Sequence, residues 1–107
     1  MLVPVTTAFD VVAEPTRRQI LDLLRERPRR VGELVELVGL SQPGVSKHLR
    51  VLRGARLVRV RRDGQRRWYE VDAGPLGEID AWLEPYRAMW ADRLDELERH
   101  LDRKEGS

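Results

Sequence analysis

Residues 31–54 restrict the possible folds of this chain more than any other stretch. Leu34, Val35, Leu37 and Val38 give residues 31–38 an apolar face, and Gly39 stands where helices commonly end in a left-handed residue. Ser41 is placed to cap a second helix, in which Val45, Leu49 and Leu52 fall at i, i+4 and i+7. Two short helices joined by a turn of about three or four residues containing a glycine make a helix-turn-helix. With one face of the second helix committed to the core, Gln42, Pro43, Ser46, Lys47 and Arg50 share the outer face.

A helix entering the major groove of DNA presents its N-terminal end to base edges, and short hydrogen-bonding side chains suit that approach. Gln42 can pair with adenine, Ser46 with several bases and Lys47 with guanine or phosphate, while Pro43 can touch a thymine methyl. A solvated face on an ordinary helix explains the same residues equally well. Residues 57–71 break the tie. Leu57 to Arg62 alternates apolar and basic residues, Asp63-Gly64 is a strong two-residue hairpin signal, and Arg66 to Val71 alternates back. A lone hairpin is marginal in water, so Val58, Val60, Tyr69 and Val71 are expected to pack on the helices. Its tip then holds Arg61, Arg62, Arg66 and Arg67 around the turn. Like charges that close together repel, and an anionic partner accounts for them better than packing does.

Charge along the chain agrees. Residues 1–40 balance, residues 41–72 carry nine basic side chains against three acidic, and residues 73–107 carry five against nine. The middle third is a footprint for a polyanion, and the acidic tail is not. Because eighteen of the twenty basic residues are arginine, which codon bias can produce, the clustering carries weight and the arginine count does not. At 107 residues the chain is expected to be one domain. No apolar run approaches a membrane span, and the start MLVPVTTAFDVV lacks a signal-like basic region and cleavage site, so a cytoplasmic protein is expected. With no Cys there is no disulfide, no thiolate metal site and no cysteine nucleophile.

Upstream, Thr6 or Thr7 can cap a short first helix through Val12, and Glu14-Pro15 opens a second. That helix buries Ile20, Leu21, Leu23 and Leu24 and should stop near Arg27, before Pro28.

Three segments, Glu14-Pro15-Thr16-Arg17-Arg18-Gln19-Ile20-Leu21, Leu40 to Leu52, and Asp63-Gly64-Gln65-Arg66-Arg67-Trp68-Tyr69, resemble in order and spacing the ArsR family of bacterial winged-helix transcriptional regulators. The resemblance covers roughly residues 8–100. It implies a homodimer that binds operator DNA, usually to repress, and often releases it when an effector binds. Many metal-sensing members carry Cys-Val-Cys where this chain has Arg30, Val31 and Gly32. Others bind zinc through C-terminal Asp and His residues, and this chain has one His there, His100, with Glu96 one turn before it. No metal or cofactor is expected. Arg56 stands where the family usually has Gly. An arginine at positive φ is costly, so the helix is expected to end earlier, at Gly54. Glu14 is a weaker cap than the family's usual Asp.

Nothing points to an enzyme. Ser46 and His48 are two apart and cannot face each other on a helix, and no phosphate loop or dinucleotide fingerprint is present. His48 is expected at the helix edge, either hydrogen-bonded within the protein or donating to a phosphate or base.

From Pro75 onward, Ile79, Trp82, Leu83, Tyr86, Met89, Trp90, Leu94, Leu97 and Leu101 recur at three- and four-residue steps. Pro85 interrupts the stripe, and a kink or break is expected there. The stripe runs on for about four turns beyond Pro85, more than a small core covers, so it needs a partner. The resemblance points to the same helix of a second subunit, with Phe9 and Val12 of the first helix alongside.

The expected fold is mainly α with one small β-hairpin: a winged helix-turn-helix with long N- and C-terminal dimerisation helices. Residues 1–107 form a single domain, with the helix-turn-helix at about 31–54, the wing at about 57–72 and the C-terminal helix at about 75–104. The expected function is a homodimeric repressor that occludes promoters, its own among the candidates, at an operator that is an inverted repeat in double-stranded DNA. Ser41, Gln42, Pro43, Ser46, Lys47, His48 and Arg50 of the recognition helix and Arg61, Arg62, Gln65, Arg66 and Arg67 of the wing would meet DNA. Phe9, Val12, Trp82, Tyr86, Met89, Trp90, Leu94, Leu97 and Leu101 would form the dimer interface. Two other readings stay open: a winged-helix module whose basic hairpin meets an acidic protein, and a repressor that responds to a metal or small-molecule effector.

Overall fold

Local capping chemistry starts the first two helices. The structure, a computed structural model, describes residues 7–105, so Thr6 lies outside the described residues. Thr7 caps α1 (Ala8–Val12) through a capping box with Asp10, each residue's side chain accepting from the other's backbone N–H. Of the two terminal helices expected to be long, only the C-terminal one is. Glu14 caps α2 (Pro15–Glu26), its carboxylate accepting the Arg17 N–H at 2.9 Å, with Pro15 in the first turn. Arg17 Nε and Arg18 Nη1 reach back to the carbonyls of Val11 and Val12, closing the open end of α1.

α3 (Val31–Val38) ends at Gly39, which takes the left-handed conformation at φ 78° and donates to the Val35 carbonyl. The Ser41 hydroxyl then accepts the Gly44 N–H to start α4 (Gln42–Gly54). Ile20, Leu34, Val45 and Leu52 are completely buried. Each such side chain contributes on the order of 1.5–3 kcal/mol through burial.

α4 ends at Gly54 as expected, but not to spare Arg56, which sits at φ 61°. The reason is the cap it completes. Arg56 N–H donates to the Arg53 carbonyl at 2.9 Å and Leu57 N–H to the Leu52 carbonyl at 3.0 Å, the paired bonds of a Schellman motif. Leu52 and Leu57 are both fully buried. The motif needs a left-handed residue at this one position, and the bonds and burial it brings hold an arginine there.

β1 (Val58–Asp63) and β2 (Arg66–Val71) pair antiparallel, with Asp63 opposite Arg66. The two-residue loop is therefore Gly64-Gln65, one position later than the Asp63-Gly64 signal suggests. Gly64 has φ 62° and Gln65 is not left-handed, the sign pattern of a type II′ turn, which wants glycine first. The hairpin is not left to itself. Arg29 N–H donates to the Tyr69 carbonyl at 3.0 Å and Tyr69 N–H to the Arg29 carbonyl at 2.8 Å, so the turn before α3 adds a third, one-residue rung. At the base, Asp72 N–H donates to the Leu57 carbonyl.

The chain forms two compact units, the first ending at Gly77 and the second beginning at Glu78. The second is the greater part of α5 (Leu76–Glu105). Pro85 lies inside this helix and does not break it. Over 30 residues, about 45 Å at the usual rise, the helical bonds on either side outweigh the one that proline removes. Arg87 supports the same stretch through ion pairs to Asp80 and Glu84.

Candidate nucleic-acid interface

α4 divides as its spacing demands. Val45, Leu49 and Leu52 are buried, while Ser41, Gln42, Pro43, Lys47 and Arg50 are exposed and Ser46 is half-exposed. His48 takes neither side. Its Nδ1 lies 3.8 Å from Glu14 Oε2, so the ring leans toward the start of α2. Partial desolvation raises the Glu14 pKa, but the N–H groups of Arg17 and Thr16 and the charge of His48 together hold it below the usual carboxylate value.

Register sorts the wing. Directly opposed residues in an antiparallel pair share a face. Val58 with Val71, Val60 with Tyr69, and Arg62 with Arg67 make one face. Along it burial falls steadily, from buried Val58 through half-buried Val60 and Tyr69 to exposed Arg62 and Arg67. The apolar base anchors the hairpin, and the basic tip of that face stands toward α4. Arg59 with Glu70, Arg61 with Trp68, and Asp63 with Arg66 make the other face. The four tip arginines are thus split two and two, which eases the repulsion expected from the sequence.

Ion pairing does not follow this split. Arg61 Nε donates to Glu70 Oε1 at 2.7 Å and Arg59 Nε to Glu70 Oε2 at 3.2 Å, and these hydrogen bonds hold the Glu70 carboxyl below its ordinary value. Among the described residues, Lys47, Arg50, Arg62, Arg66 and Arg67 have no ion-pair partner. A cleft of about 660 Å³ lies between these elements, with Arg30, Gln42, Ser46, Gln65, Arg67 and Tyr69 on its walls. It brings the base-reading candidates of α4 and the wing's Gln65 and Arg67 to one concave surface, able to hydrogen-bond bases and to bind phosphate.

Several contributors escape a linear reading. Arg29 is 8% exposed, donating from Nε to the Leu23 carbonyl at 3.0 Å and from Nη2 to Glu26 at 2.8 Å while its backbone bridges Tyr69. Arg30 enters the cleft wall. Glu70, the one acidic residue of β2, is the only signal that could have flagged the wing's internal ion pairs.

On α5, Met89, Trp90 and Leu94 are 64%, 70% and 65% exposed, and Tyr86, Leu97 and Leu101 are also exposed. The Trp82 and Tyr86 rings lie 5.0 Å apart between centroids. No helix among the described residues is long and apolar enough to cross a membrane.

Helix-turn-helix and hairpin in this order define a winged-helix protein. Residues 14–60 match the family profile described as bacterial regulatory protein, arsR family. The chain is 40% identical over 79 residues to the HTH-type transcriptional regulator Rv2034 of Mycobacterium tuberculosis, covering 74% of each protein. It is 33% identical over 75 residues to the transcriptional repressor SdpR of Bacillus subtilis, covering 70% of this chain and 83% of that one. Its fold is similar to the solution structure of the homodimeric winged helix-turn-helix DNA-binding domain of a possible ArsR-family regulator from Mycobacterium bovis, with TM-score 0.60, 28% identity and coverage of 75% and 74%. The chain belongs to the ArsR family and is a DNA-binding transcriptional regulator.

Proposed function

We propose that this chain acts as a single ArsR-type domain, paired with a second copy, and represses transcription in the cytoplasm by occluding promoters, its own among them. Each subunit lays residues 42–50 in a major groove, where Gln42 and Ser46 read base edges and Lys47 and Arg50 meet phosphate or guanine. Ser41 and Pro43 border that contact, and His48 steadies the helix from its side through Glu14. Arg62, Gln65, Arg66 and Arg67 of the wing hold flanking phosphates or enter the adjacent minor groove, and Arg61 does so only by leaving Glu70. Two coupled copies match an inverted repeat with half-sites about one helical turn apart.

The observation that carries this reading is the shared cleft, in which Gln42 and Ser46 of α4 and Arg67 of the wing line one surface. The exposed stripe on α5 supports pairing. So does the homodimeric state of the Mycobacterium bovis domain. The test is a salt titration of binding to selected and to random duplexes. The chain should prefer a selected inverted repeat, and Arg66→Ala with Arg67→Ala should weaken binding to every duplex and flatten the salt dependence by roughly one to two units. No measurable duplex binding, or an unchanged slope in the double variant, overturns the assignment.

A further inference from the structure

The Arg59–Glu70–Arg61 cluster lies on the hairpin face turned away from Val60 and Tyr69. It neither fills the core nor caps an element. Its geometry is specific all the same. Each carboxylate oxygen of Glu70 takes one guanidinium, and the Glu70 side chain is 19% exposed while those of Arg59 and Arg61 are 65% and 52% exposed. The arginines thus lie at the surface of a DNA-facing hairpin with their charge already answered from within the protein. The unpaired arginines, Arg62, Arg66 and Arg67, lie nearer the turn.

We propose that Glu70 restrains the wing: it occupies Arg59 and Arg61 as a phosphate would, and so holds down the sequence-independent part of the protein's affinity for DNA. A guanidinium neutralises a phosphate and releases its counterions only when it is free to do so, and that release is the main source of binding to random duplex. Bulk DNA greatly outnumbers operators in a cell, so two further mobile arginines would draw the protein away from its target. The carboxylate reduces that loss without altering Gln42 or Ser46, the side chains placed to read bases. The restraint rests on the proposed DNA-binding role of the wing.

Glu70→Gln keeps the shape and removes the charge. Exposed ion pairs contribute little to folding, so the fold should survive the change. Binding of the full chain to a random duplex, followed across a range of salt, should become tighter at low salt, with a slope steeper by about one to two units, one for each arginine released. The same substitution in an Arg59→Ala, Arg61→Ala background should produce no such gain. An unchanged or shallower slope in Glu70→Gln overturns the restraint. So does a gain that persists in the arginine-free background, since Glu70 would then act merely as a negative charge near DNA. A wild-type chain that binds no duplex at all fails the DNA-binding reading itself, a result separate from either.

Discussion

Gln42 and Ser46 share the outer face at the start of α4, where a side chain can reach a base edge without moving the backbone. Replacing either by alanine should weaken operator binding by on the order of 1–3 kcal/mol and leave random-duplex affinity nearly intact. Parallel titrations of the two duplexes check this, and equal loss on both would show that neither residue reads sequence. Arg56 poses a different question, because its side chain matters less than its backbone. At φ 61° it bears the left-handed strain that glycine avoids, within a Schellman cap whose bonds do not depend on the side chain. Arg56→Gly should therefore raise unfolding stability by about 1 kcal/mol, read as a higher urea midpoint with an unchanged slope.

The junction of α2 and α3 is held by charge. Arg27 and Arg29 both donate to the Glu33 carboxylate, and Arg29 also carries the rung that ties the hairpin to this turn. The hydrogen bond from Arg27 is the main cause that sets Glu33 below its ordinary value of 4.5, against a partial desolvation that acts the other way. A carboxylate with a depressed folded-state pKa stabilises the fold above its unfolded value, and that contribution disappears as pH falls through the folded one. Stability should thus be level above about pH 5 and decline below 4.5, with Glu14 and Glu70 adding to the same decline. Urea midpoints measured across this window should fall less steeply in Glu33→Gln. A curve identical to wild type would mean that the Arg27–Glu33 pair is as open in the folded state as in the unfolded chain.

One winged helix contacts a single half-site and buries little surface on DNA, so in the proposed dimer the two copies add their contacts. The stripe on α5 can couple them, with Met89, Trp90 and Leu94 each more than 60% exposed along one helix face. Large apolar side chains at the centre of an interface typically cost more than about 2 kcal/mol when removed. Leu94→Glu should give a monomer with intact helix content and much reduced operator affinity, although no residue placed on DNA has changed. Sedimentation and operator titration of the same sample decide it. A monomer that binds with full affinity would disconnect the stripe from DNA binding, and a dimer would place the interface elsewhere.

Sequence by itself determined the elements and most of the core. Caps, turns and buried faces depend on residues three or four apart, so Thr7, Glu14, Gly39 and Ser41 mark helix ends, and the spacing of Val45, Leu49 and Leu52 sets which side of α4 faces out. Only the tertiary structure decided what those elements do to one another. Proline is a strong local breaker, yet the intact turns on either side carry α5 through Pro85. A Schellman cap, closed by bonds to Leu52 and Arg53, holds Arg56 where its own preference is unfavourable. The wing shows the reason most directly. Moving its two-residue loop by one position slides the strand partners by two. With Asp63-Gly64 as the loop, Arg59 would oppose Trp68 and Arg61 would oppose Arg66; with Gly64-Gln65, Arg59 opposes Glu70. Register is an agreement between two strands and the helices beneath them, settled by how Val58, Val60, Tyr69 and the Arg29 rung pack together. No short stretch of sequence contains that agreement, and it is what determines which wing arginines are ion-paired and which are not.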